Sequence, residues 1–74
     1  MNDRPVKRSV TLRGHRTSVT LEPLFWQALK DIARERGLAV NALAAEIDSQ
    51  RDLETGLATA LRVYILDWYR SRSR

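Results

Sequence analysis

Residues 8–23 read RSVTLRGHRTSVTLEP, and the tetrapeptide SVTL occurs in them twice, at 9–12 and at 18–21. Valine and threonine are β-branched and favour a pleated backbone. In the second copy, alternation with period two places Thr17, Val19 and Leu21 on one side of a strand and Arg16, Ser18 and Thr20 on the other. One side suits a core and the other is wholly polar. Gly14 takes a positive φ without steric cost, so a turn is expected at Arg13-Gly14-His15. A lone strand leaves its backbone N–H and C=O groups unpaired. The second copy therefore pairs either with the first copy, folded back on it, or with the same strand of a second chain.

Outward from this stretch the chain turns helical. Pro23 suits a first helical turn. Phe25, Ala28, Leu29, Ile32 and Ala33 form an apolar stripe at helical spacing. Gly37, just past the basic pair Arg34 and Arg36, is a stop signal. Val40, Leu43, Ala44 and Ile47 predict a short second helix, ending near Ser49. A break follows at 49–56. Leu57, Ala60, Leu61, Tyr64, Ile65 and Trp68 predict a third helix over about 53–70, widened by Val63, Leu66 and Tyr69. That width asks for a partner chain. Trp26 and Trp68 are expected in core or dimer packing. The terminal SRSR is expected to fray.

Seventy-four residues make one domain with a small core. With no cysteine and a single histidine, neither a disulfide nor a Cys/His metal cluster is available, and oligomerisation is the remaining way to complete the core. No cofactor is implied. His15 has no nucleophile or orienting acid near it, and Asp48, Asp52 and Glu54 straddle the helix break as solvated or capping charges, so an enzyme is not expected. No apolar stretch follows the basic start, and no run approaches a membrane span, so a soluble cytoplasmic protein is expected.

The net charge of +4 is unevenly spread. Arg4, Lys7, Arg8, Arg13 and Arg16 face only Asp3 in residues 1–16. Residues 17–69 are mildly acidic, and Arg70, Arg72 and Arg74 close the chain. Residues 1–8 read as a flexible basic arm, and 9–74 as one domain with its centre at 16–49. A basic arm beside a strand is a footprint suited to a polyanion.

The strand RTSVTLEP, the helix FWQALKDIARERG and the turn GLAVNALAAEI together resemble the ribbon-helix-helix family of MetJ- and Arc-like DNA-binding proteins. The whole chain also resembles an uncharacterised bacterial subgroup of ribbon-helix-helix domain proteins. The resemblance implies a mainly α fold with a short β element. It implies an intertwined homodimer whose strands pair antiparallel across chains, here with an N-terminal extra strand and a C-terminal third helix. It implies a sequence-specific or weakly specific transcriptional regulator that inserts a two-stranded ribbon into the DNA major groove. By position, Arg16, Ser18 and Thr20 would read bases. Lys7, Arg8 and Arg13, with the second-helix start at Ala39, Val40 and Asn41, would hold phosphate. Asn41 alternatively caps that helix. Val19, Leu21, Phe25, Leu29, Ile32, Leu43, Ile47, Leu61 and Ile65 would form the dimer core. If the first SVTL copy adds an outer strand to each chain, the dimer sheet becomes four strands, about 14 Å between outer axes, too wide for the groove as a flat ribbon. A rival expectation is a dimeric protein-interaction module, including one that binds a toxin, that keeps the fold without DNA binding.

Overall fold

The computed structural model describes residues 3–72. Strand β1 (Val6–Leu12) and strand β2 (His15–Leu21) form an antiparallel hairpin, followed by α1 (Pro23–Arg36), α2 (Val40–Gln50) and α3 (Leu57–Arg72). The first SVTL copy thus folds back on the second. The register pairs Leu12 with His15, Ser9 with Ser18 and Val6 with Leu21. The loop is Arg13-Gly14 alone, with φ of 52° and 83°. Two successive positive φ values match the right-handed twist of the flanking strands. Glycine adopts this region freely; Arg13 does so at a cost on the order of 1 kcal/mol. His15, expected in the turn, instead opens β2.

Strand β1 begins at Val6, so residues 6–8 belong to the hairpin and not to a flexible arm. Residues 1 and 2 of that arm, and 73–74 of the basic end, lie outside the described residues. Val10, Val19 and Leu21 are buried on the inner face of the hairpin. Thr17 shares that face but is exposed, although Val10 directly opposite it is buried, because α2 packs over β1 and not over this part of β2.

Glu22, in an extended conformation, precedes Pro23 at the first turn of α1. The helix ends at Gly37, whose φ of 72° is left-handed. The Leu38 N–H donates to the Ala33 carbonyl at 2.8 Å and the Gly37 N–H to the Arg34 carbonyl at 3.1 Å. This pair of bonds satisfies carbonyls that a helix end otherwise leaves open. The break between α2 and α3 is pinned by Arg51, which donates to Asp48 Oδ1 and to the Thr55 carbonyl, both at 2.7 Å. The Asp52 carboxylate accepts the Glu54 N–H there.

Among the described residues, eleven side chains form one core: Val10, Val19, Leu21, Leu29, Ile32, Ala33, Leu43, Ala44, Ile47, Leu61 and Ile65. Eight of the nine residues expected at a dimer core are therefore buried within a single chain, and Phe25 packs against them half-buried. Trp26 and Trp68 also pack on this core. The outer side of α3 differs from the expectation of burial: Val63, Leu66 and Tyr69 remain exposed in the single chain.

Ion pairs tie the helices to each other and to the ribbon, among them Arg72 with Glu35 between α3 and α1. The Arg36 guanidinium donates to both Glu46 carboxylate oxygens, at 2.6 and 3.1 Å, and to the Tyr64 hydroxyl at 3.0 Å. Arg62 donates to Glu22 Oε1 at 3.0 Å and to the Thr20 carbonyl at 3.4 Å. The hydrogen bonds from Arg62 and Arg36 hold the Glu22 and Glu46 carboxyls below the usual 4.5. Their folded-state affinity for protons is lowered, so this stabilisation is complete above the unfolded-state pKa and is lost as pH falls through the folded one. The melting temperature is expected to hold between about pH 7 and 5 and to fall below about pH 4.5. In a Glu22→Gln/Glu46→Gln double variant the acid-side fall should be shallower; an equally steep fall would discount both pairs.

Candidate nucleic-acid interface

In an antiparallel pair, residues directly opposite each other point to the same side of the sheet. The register therefore gathers Lys7, Ser9 and Thr11 of β1 beside Thr20, Ser18 and Arg16 of β2. All six are exposed. Arg13 extends the basic character at the exposed tip. Arg16, Ser18 and Thr20 thus lie together on the polar face, as the alternation implies. The second row, from β1, lies outside the residues that the alternation of β2 singles out. Its signal was available: a repeat spaced by nine residues around a two-residue turn aligns the two copies.

Arg8 departs from the phosphate-binding expectation. It lies on the inner face, with its guanidinium carbon 5.3 Å from the centre of the Trp26 ring. Its Nε is shielded from solvent and makes no hydrogen bond. The alternation that turns Val10 inward also turns Arg8 inward, while its neighbour Lys7 points out. Stacking on an indole compensates part of the lost hydration of the cation.

The second-helix start lies beside the outer edge of β1. The Thr11 N–H donates to Asn41 Oδ1 at 3.2 Å. Asn41 is not the cap; Ala39 takes that position, and no side chain caps the helix. The first helical bond runs from the Leu43 N–H to the Ala39 carbonyl at 3.1 Å. The N–H groups of Val40, Asn41 and Ala42 precede it, and such groups with the helix dipole favour an anion. Asn41 thus fastens α2 to the ribbon edge, which sets this helix end alongside the polar face. On the opposite edge, Arg62 reaches the Thr20 carbonyl. By strand alternation, the backbone groups of Arg16, Ser18 and Thr20 point to that outer edge of β2, away from β1.

The two strands of a ribbon lie about 4.8 Å apart, against a major groove about 12 Å wide. His15 lies on the side opposite the polar face, near Asp48 and Arg51 in an open groove. Among the described residues, no helix is long and apolar enough to cross a membrane.

A two-stranded polar ribbon, a glycine-stopped helix and a second helix starting at the ribbon's edge define a ribbon-helix-helix domain. The family of that description matches residues 5–69, and the chain belongs to it. Comparison with curated protein sequences gives no match. Among solved structures, the chain is similar to an uncharacterized protein from Bordetella pertussis Tohama I. The identity is 28% and the TM-score 0.77, over 97% of this chain and 61% of that one. The chain thus spans less than two thirds of the length of that protein.

Proposed function

We propose that this chain binds double-stranded DNA as a small bacterial transcriptional regulator in the cytoplasm, with the polar face of its ribbon in the major groove. The observation that carries the reading is the exposed face holding Lys7, Arg16 and four hydroxyl side chains, with Arg13 at its tip. Arg16 suits a bidentate contact to guanine O6 and N7, and the short hydroxyls of Ser18 and Thr20 accept several bases. Lys7, Arg13 and the start of α2 at Ala39, Val40 and Asn41 attract phosphate. Arg8 has no part in this, since it is stacked on Trp26.

The reading includes a homodimer. It is supported by the exposed Val63 and Leu66 of α3, apolar side chains that a second copy would cover. Sedimentation of the purified chain at micromolar concentration tests this separately from DNA binding.

A polarisation titration against mixed genomic fragments at low salt tests the central claim. Arg16→Ala is expected to weaken binding to the preferred fragment by about tenfold, and to weaken binding to unrelated fragments less, with the melting temperature unchanged. An absence of binding at low salt would refute the reading.

A second reading, a protein-interaction module such as an antitoxin-like partner of a toxin, is favoured by one observation. An open apolar cleft of about 350 Å³ lies between α1 and α3, lined by Leu24, Phe25, Ala28, Ile65 and Tyr69. Under that reading, Arg16→Ala leaves partner binding untouched and Leu24→Asp abolishes it.

A further inference from the structure

Among the described residues, five large hydrophobic side chains are exposed, and four of them lie on α1 or α3: Leu24, Val63, Leu66 and Tyr69. Leu24 and Tyr69 line the apolar cleft between these helices, together with Phe25, Ala28 and Ile65. Leu66, next to Ile65 in the chain, stands beside the cleft and is 59% exposed. Apolar side chains gathered in one place mark an interaction surface.

The two helices lie side by side and run in the same direction. Toward their starts the Arg62 guanidinium carbon lies 5.8 Å from the centre of the Phe25 ring, and toward their ends Arg72 pairs with Glu35. Both contacts join residues thirty-seven apart in sequence. Ile65 is therefore level with Ala28, and Trp68 with Asp31. Leu66 stands at the height of the cleft itself. Arg70 follows Leu66 by one turn on the same side of α3, is exposed, and belongs to none of the ion pairs among the described residues. Along the helix axis it lies within about 3 Å of the level of Asp31, and Asp31 lines the cleft. The Asp31 carboxylate accepts from Gln27 and Arg34, both through Oδ1, which leaves Oδ2 to accept a further donor.

A protruding leucine and an apolar cleft, a cation and a carboxylate, thus sit at matching heights on one chain. Such a surface is complementary to its own copy under a two-fold axis running along the helices. We infer that two copies of this chain associate through the α1–α3 face, with Leu66 of each seated in the cleft of the other and Arg70 of each paired with Asp31 of the other. The α3 ridge of one copy then packs over the groove between α1 and α3 of its partner. This rests on the homodimer in the reading above and names its contact; it does not depend on DNA binding. None of these residues belongs to β2, so a second strand paired along the outer edge of β2 is a separate contact, to which association through the helices adds. The polar face of the hairpin, on the side of the sheet away from the helices, is left clear.

Sedimentation equilibrium of the full chain at micromolar concentration tests the inference, with Leu66→Asp, Asp31→Arg, Arg70→Asp and the double variant Asp31→Arg/Arg70→Asp. Circular dichroism checks that each variant keeps its helices. Leu66→Asp is expected to halve the sedimenting mass. Each single charge reversal sets like charges against each other and should raise the dissociation constant on the order of tenfold. The double variant exchanges the two charges and should return to within about threefold of the wild type. A mass unchanged by Leu66→Asp overturns the inference and leaves standing a homodimer built elsewhere. A double variant no stronger than the single ones overturns it as well. A wild type that sediments as a single chain overturns the homodimer and the inference together, and assigns the cleft to a different partner; DNA binding, measured by polarisation, is decided separately.

Discussion

Val10→Asp is expected to abolish the cooperative thermal transition of this domain. Val10 is 1% exposed, so an aspartate there is placed in the apolar core among Val19, Leu21 and the helices. Removing the valine forfeits about 1.5–3 kcal/mol of burial. Burying an unpaired carboxylate adds several kcal/mol more, or forces it to take up a proton. A domain of this length is stable by only about 4–11 kcal/mol, and each kcal/mol lost lowers the melting temperature by roughly 4–8 °C. Ser9→Asp, one residue away on the outer face, is expected to leave the transition nearly unmoved. Circular dichroism melting of the two variants decides the matter. If Val10→Asp melts within a few degrees of the wild type, β1 is a dispensable strand and the single-chain ribbon is wrong.

The affinity for duplex DNA is expected to fall by about 40- to 150-fold for each chain that binds, and by the product of the two for a dimer, when salt rises from about 50 to 200 mM. The logarithm of the binding constant falls with the logarithm of salt, with a slope of about −0.9 for each phosphate neutralised. Lys7, Arg13, Arg16 and the start of α2 offer roughly three to four such contacts per chain. Had Arg8 pointed outward, the slope would be steeper by about one, so Arg8→Ala is expected to leave it unchanged. Instead, Arg8→Ala should lower the melting temperature slightly, through the lost stacking on Trp26. A titration series at fixed pH gives the slope directly. A binding constant indifferent to salt would remove the electrostatic basis of the DNA reading.

Much of the fold was legible because it is locally encoded. The alternation in RTSVTLEP marks β2 and its two faces. Gly37 ends α1 because its own backbone takes the left-handed conformation that the terminal carbonyls need. The apolar spacing from Val40 to Ile47 marks α2 over nearly its full length. Of the candidate interface, Arg16, Ser18 and Thr20 follow from period two alone. Charge composition groups Arg8 with the outward cations, whereas strand alternation decides which way it faces. Extending the pattern backwards from Val10 turns it inward.

Other features depend on residues far apart in the chain. Asn41 looked like a cap, yet its carbonyl oxygen accepts the Thr11 N–H, thirty residues away in sequence. The outer side of α3 reads as apolar, but the single chain places its core on the inner side, and Val63 and Leu66 stay exposed.

By itself, the sequence determined that a β-branched strand with one polar face is followed by three helices with a glycine stop after the first. Caps, turns and periodicity act within a few residues, so neighbours suffice to specify them. Only the tertiary structure decided which backbone lies against β2, which way Arg8 faces and what Asn41 holds. Those outcomes depend on strand register and on the packing of helices against one edge, where several pairings satisfy the same local preferences and only burial of the shared core selects one.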